Sequence, residues 1–201
     1  MQILIAGAGI GGLTAALCLN EAGIPVTLAE SAPQCEPLGV GINLLPAAVV
    51  ELTRLGLGPD LDAIGVPVAE MAHFDRHGNL IWREPREGQY SVHRGELQML
   101  LLDTVRQRLG PAAIRFGLTV QDFATGATGV TAICHDRTVD EPVRLHATVL
   151  IGADGLHSAI RRRLHPAEGR PIPSASSCGE ASATALPSRR AAPSPSTAAT
   201  P

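Results

Sequence analysis

Gln2-Ile3-Leu4-Ile5-Ala6-Gly7-Ala8-Gly9-Ile10-Gly11-Gly12 is the stretch on which the reading of this chain turns. Residues 2–6 are a short apolar run ending in glycines, the pattern of a strand buried in a parallel sheet. Leu13 to Ala22 carries helix formers, apolar at Leu13, Ala16, Leu17 and Leu19, and Gly23 stops it. Pro25 to Glu30 reads as a second strand. Strand, glycine turn, helix and strand make a βαβ unit. Gly7, Gly9 and Gly12 stand in the order G-x-G-x-x-G. The first glycine permits a tight turn, the second lets a pyrophosphate approach the backbone, and the third lets helix and strand pack closely. The free N–H groups and positive dipole end of the helix suit phosphate oxygens. Glu30 follows Gly12 by 18 residues, where a carboxylate can accept hydrogen bonds from the ribose hydroxyls of an adenosine.

Further along, Pro46 to about Leu55 is expected to be a helix, started by a proline in its first turn and ended at Gly56. Phe74 to Trp82 has a turn at His77-Gly78-Asn79 between alternating segments, the mark of a hairpin. Arg94 to Leu109 carries Leu97, Leu100, Leu101, Val105 and Leu109 along one helical face and stops at Gly110-Pro111. Strand-like runs follow at 114–116, 118–123, 130–135 and 143–151, so a meander is expected over Leu118–Ile151. Gly152-Ala-Asp-Gly-Leu-His-Ser158 leads into a short helix through Arg161-Arg162-Arg163, whose cations suit the negative end of the helix dipole. After Arg170 the composition shifts. Of residues 171–201, 24 of 31 are Ala, Ser, Pro or Thr, too little apolar surface for a core. The folded domain is therefore expected over 1–170, with a disordered tail over 171–201.

Of the 201 residues, 45% are hydrophobic, enough for one core and too many for a disordered chain. A net charge of −3 argues against a nucleic-acid partner, which would normally meet a basic face. Cys18, Cys35, Cys134 and Cys178 are scattered, with no C-x-x-C pair, so reduced thiols are expected and no metal site. Met1 to Leu19 is apolar, yet the first basic residue is Arg54 and four glycines interrupt the run. Neither a secretory leader nor a membrane span is expected, which makes a cytoplasmic location the default.

Four motifs in order carry a family resemblance. Gly12, Ala16 and Gly23 extend the glycine fingerprint as G-x-x-x-A-x-x-x-x-x-x-G. Gly39 to Leu57 looks like the second stretch of the single-component flavin aromatic hydroxylases. Ser91-Val-His-Arg94-Gly-Glu-Leu97 resembles their Arg-x-x-Leu element, and Leu150 to Arg161 their Asp-Gly motif. Over 1–165 the chain resembles the salicylate-hydroxylase-like, p-hydroxybenzoate-hydroxylase-type FAD-dependent monooxygenases. The resemblance implies an α/β fold, a Rossmann-like βαβ domain for FAD and NAD(P) with an added β-meander and hairpin. It implies that Gly7, Gly9, Ile10, Gly11 and Gly12 cradle the FAD pyrophosphate and that Glu30 holds the adenosine ribose. Val40 would lie along the flavin edge. Arg94 would reach the phosphates or ribityl chain with its guanidinium fork, and Gln98 lies one helical turn on, on the same face. Val120 would meet the adenine through its backbone, and Asp154 would serve the pyrophosphate region and the approach of NADH or NADPH. No catalytic side chain is implied, because the flavin carries the chemistry. The electron donor would be NADH or NADPH, and the substrate a small aromatic molecule. A non-catalytic flavin- or nucleotide-binding module and an NAD-linked dehydrogenase share the βαβ unit; the Arg94 and Asp154 elements favour FAD.

The resemblance also marks what is missing. A later Gly-Asp motif and a larger substrate-side sheet belong to the family pattern, and no matching segment follows Arg170. The chain is thus expected to lack most of the substrate domain, keeping only the hairpin near 68–90. With one choice of synonymous codons for Ser174 to Glu180, a one-base shift reads Gly-Ile-Val-Met-Trp-Arg. The tail is therefore expected to be out-of-frame translation after a truncation.

Overall fold

The structure, a computed structural model, describes residues 1–169, so the tail expected over 171–201 lies outside the described residues. The first half runs β1 (Ile3–Ala6), α1 (Ile10–Glu21), β2 (Val26–Ala29), β3 (Gly41–Leu44), α2 (Pro46–Arg54), α3 (Gly58–Ile64), β4 (Gly65–Phe74) and β5 (Leu80–His93). The second half runs α4 (Arg94–Leu109), β6 (Ile114–Arg115), β7 (Leu118–Gly126), β8 (Gly129–Asp136), β9 (Glu141–Ala147), β10 (Val149–Gly152) and α5 (Ala159–Leu164).

β10, β1, β2 and β6 lie side by side, in that order, as a parallel sheet. All four residues of β1 are buried, and they alternate between two cores. Ile3 and Ile5 pack with Leu13 and Leu17 of α1 and Leu97, Leu101 and Val105 of α4. Leu4 and Ala6 pack instead with Leu118, Val120, Val130, Ala132 and Cys134 of the antiparallel meander β7-β8-β9. The domain thus has three layers: helices, parallel sheet, meander. Each fully buried leucine contributes about 1.5–3 kcal/mol relative to exposure. Cys18, on α1, is half-buried and packs against the first core.

The apolar run at 143–151 is two strands, not the single one expected. It breaks at Thr148, whose N–H donates to the Gln2 carbonyl at 2.8 Å. The meander therefore ends at Ala147, and β10 crosses into the parallel sheet, where Ile5 pairs with Ile151. β3, β5 and β4 form a separate antiparallel sheet. The hairpin expected near Phe74–Trp82 is the tip of a longer one, closed by Asp75. One of its carboxylate oxygens accepts the His77 and Asn79 N–H groups at 2.8 Å each. Among the described residues no helix is long and apolar enough to cross a membrane.

Candidate FAD site

The glycine loop lies at the carboxyl edge of the parallel sheet, the edge where open α/β sheets bind ligands. Its start is fixed by backbone bonds: Gly7 N–H donates to Ala29 O, and Ala153 N–H donates to Ala6 O, both at 2.8 Å. Gly7 has φ +100°, and a Cβ there would sit 2.3 Å from the Ala153 carbonyl oxygen. At Gly12 a Cβ would sit 2.0 Å from the Gly7 carbonyl oxygen. These two glycines are demanded by the protein itself. Gly9 and Gly11 differ: among the described residues, nothing beyond the local backbone lies within 4 Å of a Cβ built on either. No side chain caps the first turn of α1, and no acidic residue sits in it. Its N–H groups are left for an anion from outside.

Glu30 stands just past β2, half-buried. Oε2 accepts the Ala8 N–H at 2.7 Å, and Oε1 accepts the Ala32 N–H at 2.8 Å and the Ser31 hydroxyl at 3.2 Å. These bonds use three of the roughly four lone-pair positions of a carboxylate. One position on Oε2 stays open for a further donor.

A cleft of about 400 Å³ joins these parts, lined by Gly7, Gly9, Glu30, Val120 and Asp154 from the sequence-predicted set. A wider hollow of about 610 Å³ at α5 lacks the glycine loop and Glu30. The cleft also takes in Ser31, Thr119, Ala153, His157 and Arg162, which sequence reasoning left out. The signal for Ser31 and Ala153 was available, since both follow the carboxyl ends of sheet strands. Arg162 was read as a partner of its own helix dipole; only tertiary packing of α5 brings it to the cleft, with Nη1 donating to the His157 carbonyl at 2.9 Å.

The remaining predicted residues lie elsewhere. Ile10, Gly11 and Gly12 form the first turn of α1. Val40, just before β3, and Arg94 and Gln98, in the first turns of α4, lie outside the cleft lining. The Arg94 N–H donates to the Val40 carbonyl at 2.9 Å, and its guanidinium lies against Gly39. Gln98 turns towards the loop, its Nε2 donating to the Ala8 carbonyl at 3.2 Å. Asp154 is occupied by α5: one oxygen accepts the Ser158 hydroxyl at 2.5 Å, the other the Ala159 N–H at 2.7 Å. Beside the loop, burial first and the Glu30 charge second push the Cys35 thiol up. Among the described residues no cluster of His, Cys, Asp or Glu could hold a metal ion.

A protein-family model described as an FAD binding domain matches residues 1–186. The chain is 51% identical to the phenazine 1,6-dicarboxylic acid hydroxylase PhzS of Lysobacter antibioticus, over 82% of this chain and 43% of that protein. It is 34% identical to 3-hydroxybenzoate 6-hydroxylase 1 of Aquipseudomonas alcaligenes, over 81% and 42% respectively. The crystal structure of Klebsiella pneumoniae HpxO with FAD and uric acid superposes with a TM-score of 0.66 at 30% identity, covering 81% of this chain and 41% of that one. The chain spans about two-fifths of the length of the curated relatives it matches. The chain belongs to the FAD binding domain family of flavin-dependent hydroxylases and monooxygenases.

Proposed function

We propose that the cleft holds the adenosine half of FAD, and that the complete protein is an NAD(P)H-dependent monooxygenase of a small aromatic carboxylate. One observation carries the reading of the site: Gly9 and Gly11 face space that no other described residue fills, at the uncapped start of α1. Bound FAD supplies hydride acceptance from NADH or NADPH and the reaction with oxygen. The chain supplies the grip. The first-turn N–H groups of α1 bind pyrophosphate oxygens, and the open position on Glu30 Oε2 accepts a ribose hydroxyl. Val120 edges the adenine through its backbone, and Arg162 adds a cation on the cleft wall. Arg94 and Val40 hold the flavin-side half. Asp154, with both oxygens engaged by α5, fixes the turn that closes the cleft. The substrate class follows two relatives named for aromatic carboxylates, phenazine 1,6-dicarboxylic acid and 3-hydroxybenzoate.

The test is an FAD titration followed by flavin fluorescence. The chain is expected to bind FAD one to one, and Gly9→Val to abolish binding without lowering the melting temperature. Binding that survives Gly9→Val would move the pyrophosphate away from the loop and overturn the reading.

A further inference from the structure

Beside the Glu30 end of the cleft lies a second hollow of about 560 Å³, lined by Ser31, Thr119, Gln121, His135, Arg137 and Asp140. Ser31 and Thr119 line both spaces, so the two run into one another. Thr119 and His135 are a cross-strand pair, and by strand alternation they lie on the face of the meander opposite to buried Val120 and Cys134. The turn between β8 and β9 makes the outer wall. Its Arg137 N–H donates to the Gly117 carbonyl at 2.8 Å, and its Thr138 N–H to Asp136 Oδ1 at 2.9 Å. Asp140 has φ +58°, the only non-glycine residue at positive φ among the described residues, and His135 Nε2 stands 2.9 Å from its carboxylate. Backbone of that kind persists where neighbours over-determine it, and such positions cluster at ligand clamps. From this turn Arg137 reaches back to the cleft, its Nη1 donating to the Ser31 carbonyl at 3.1 Å. That bond uses one of the five guanidinium N–H donors. The carboxylate of Asp140 is already engaged by His135.

We propose that the adenine ring leaves the cleft over Ser31 and Thr119 and lies in this second hollow, stacked against the guanidinium of Arg137. The proposal rests on the reading of the cleft as an FAD site, and it adds a contact from a turn that neither the glycine loop nor Glu30 specifies. The chemistry of the lining favours a flat, neutral, aromatic guest. No large apolar side chain lines the hollow, so a ring gains there from a planar partner and from hydrogen bonds at its edge. A guanidinium is planar and weakly hydrated, and it stacks on aromatic faces. The bond to Ser31 holds that plane before a ligand arrives, which lowers the cost of binding. Thr119 and Gln121 supply a hydroxyl and an amide for ring nitrogens. A phosphate group is a poorer match, because the Arg137 cation shares the hollow with the Asp140 carboxylate.

The experiment titrates FAD and ADP into the full chain for the wild type, Arg137→Ala and Arg137→Lys, each at low and at high salt. Arg137 is exposed, so both variants are expected to melt with the wild type. Arg137→Ala is expected to weaken FAD and ADP alike by roughly tenfold, within the range for one base stacked on a cation. The adenine absorbance band, which stacking weakens, is expected to change less on binding to the variant than to the wild type. Arg137→Lys keeps the charge and gives up the plane, so its affinity is expected to fall nearly as far. Both losses are expected to persist at high salt. Full rescue by lysine, or losses that vanish at high salt, would make Arg137 a charge for phosphate oxygens and overturn the proposal. Unchanged affinities in Arg137→Ala would return Arg137 to a solvated surface residue and overturn the stack alone, leaving the cleft as an FAD site. A wild type that binds neither FAD nor ADP would refute the cleft itself, and the stack with it.

Discussion

At the scale of single residues, the four loop glycines divide into two kinds that mutation can separate. Gly12→Ala drives a methyl group to 2.0 Å from the Gly7 carbonyl oxygen. The backbone must shift, and stability is expected to fall by roughly 1–3 kcal/mol, the usual cost of overpacking; a thermal melt reads this directly. Gly9→Ala meets nothing, and its backbone (φ −72°) suits any residue, so the melt should not move. Glu30→Ala removes the acceptor of the Ala8 and Ala32 N–H groups, and FAD affinity is expected to weaken by roughly 1–3 kcal/mol in a titration. Cys35 gives a pH signature. Burial and Glu30 raise its thiol above the usual value of 9.0, so the fold favours the protonated form. Its contribution to stability is present below that pH and fades as pH rises through the raised value. Alkylation of Cys35 by iodoacetamide, mapped by mass spectrometry at pH 8, is therefore expected to be slower than in the unfolded chain.

At the scale of elements, the hairpin tip offers a second titration. The Asn79 side chain first, then backbone N–H groups, hold the Asp75 carboxyl below its ordinary value of 3.8. The tie is complete above that pH and is lost as pH falls through the lower folded value. The amide resonances of His77 and Asn79 are expected to move together in that window, and Asp75→Ala should remove the transition. The elements also show what local sequence can reveal. The unit β1-α1-β2 was legible because glycine spacing and apolar runs are local, and α4 matches its expected span because Leu97, Leu101 and Val105 repeat at helical spacing. The split of 143–151 was not legible. Its cause is the bond from Thr148 to Gln2, a contact 146 residues away that leaves no mark on the local apolar pattern. β3 and α3 escaped because four and seven residues are too few to show a period. Of the candidate site, the glycine loop and Glu30 were readable, whereas Arg162 and the turn of Gln98 onto Ala8 depend on where α5 and α4 are packed.

At the scale of the whole molecule, Val66, Phe74, Leu80, Ile81 and Trp82 are exposed on the β4–β5 hairpin, and among the described residues β4 pairs with β5 alone. Apolar side chains beside an open strand edge promote association. Light scattering is expected to show concentration-dependent growth, which Ile81→Lys reduces. Because the chain spans 43% of PhzS, a test of these 201 residues with FAD, NADH or NADPH and phenolic acids is expected to yield peroxide rather than hydroxylated product. Tight coupling of hydroxylation to nicotinamide oxidation would refute this. The pairing of β10 with β1 has a further consequence, in time rather than space. Ile3 meets Val149, and the Gly7 turn is locked against Ala153, so the glycine motif is finished by a strand that follows it by about 140 residues. Such sequence-distant pairing slows folding. On the ribosome the nascent chain must carry an unformed nucleotide loop until about residue 153 has emerged, and FAD can act as a folding ligand only after that point.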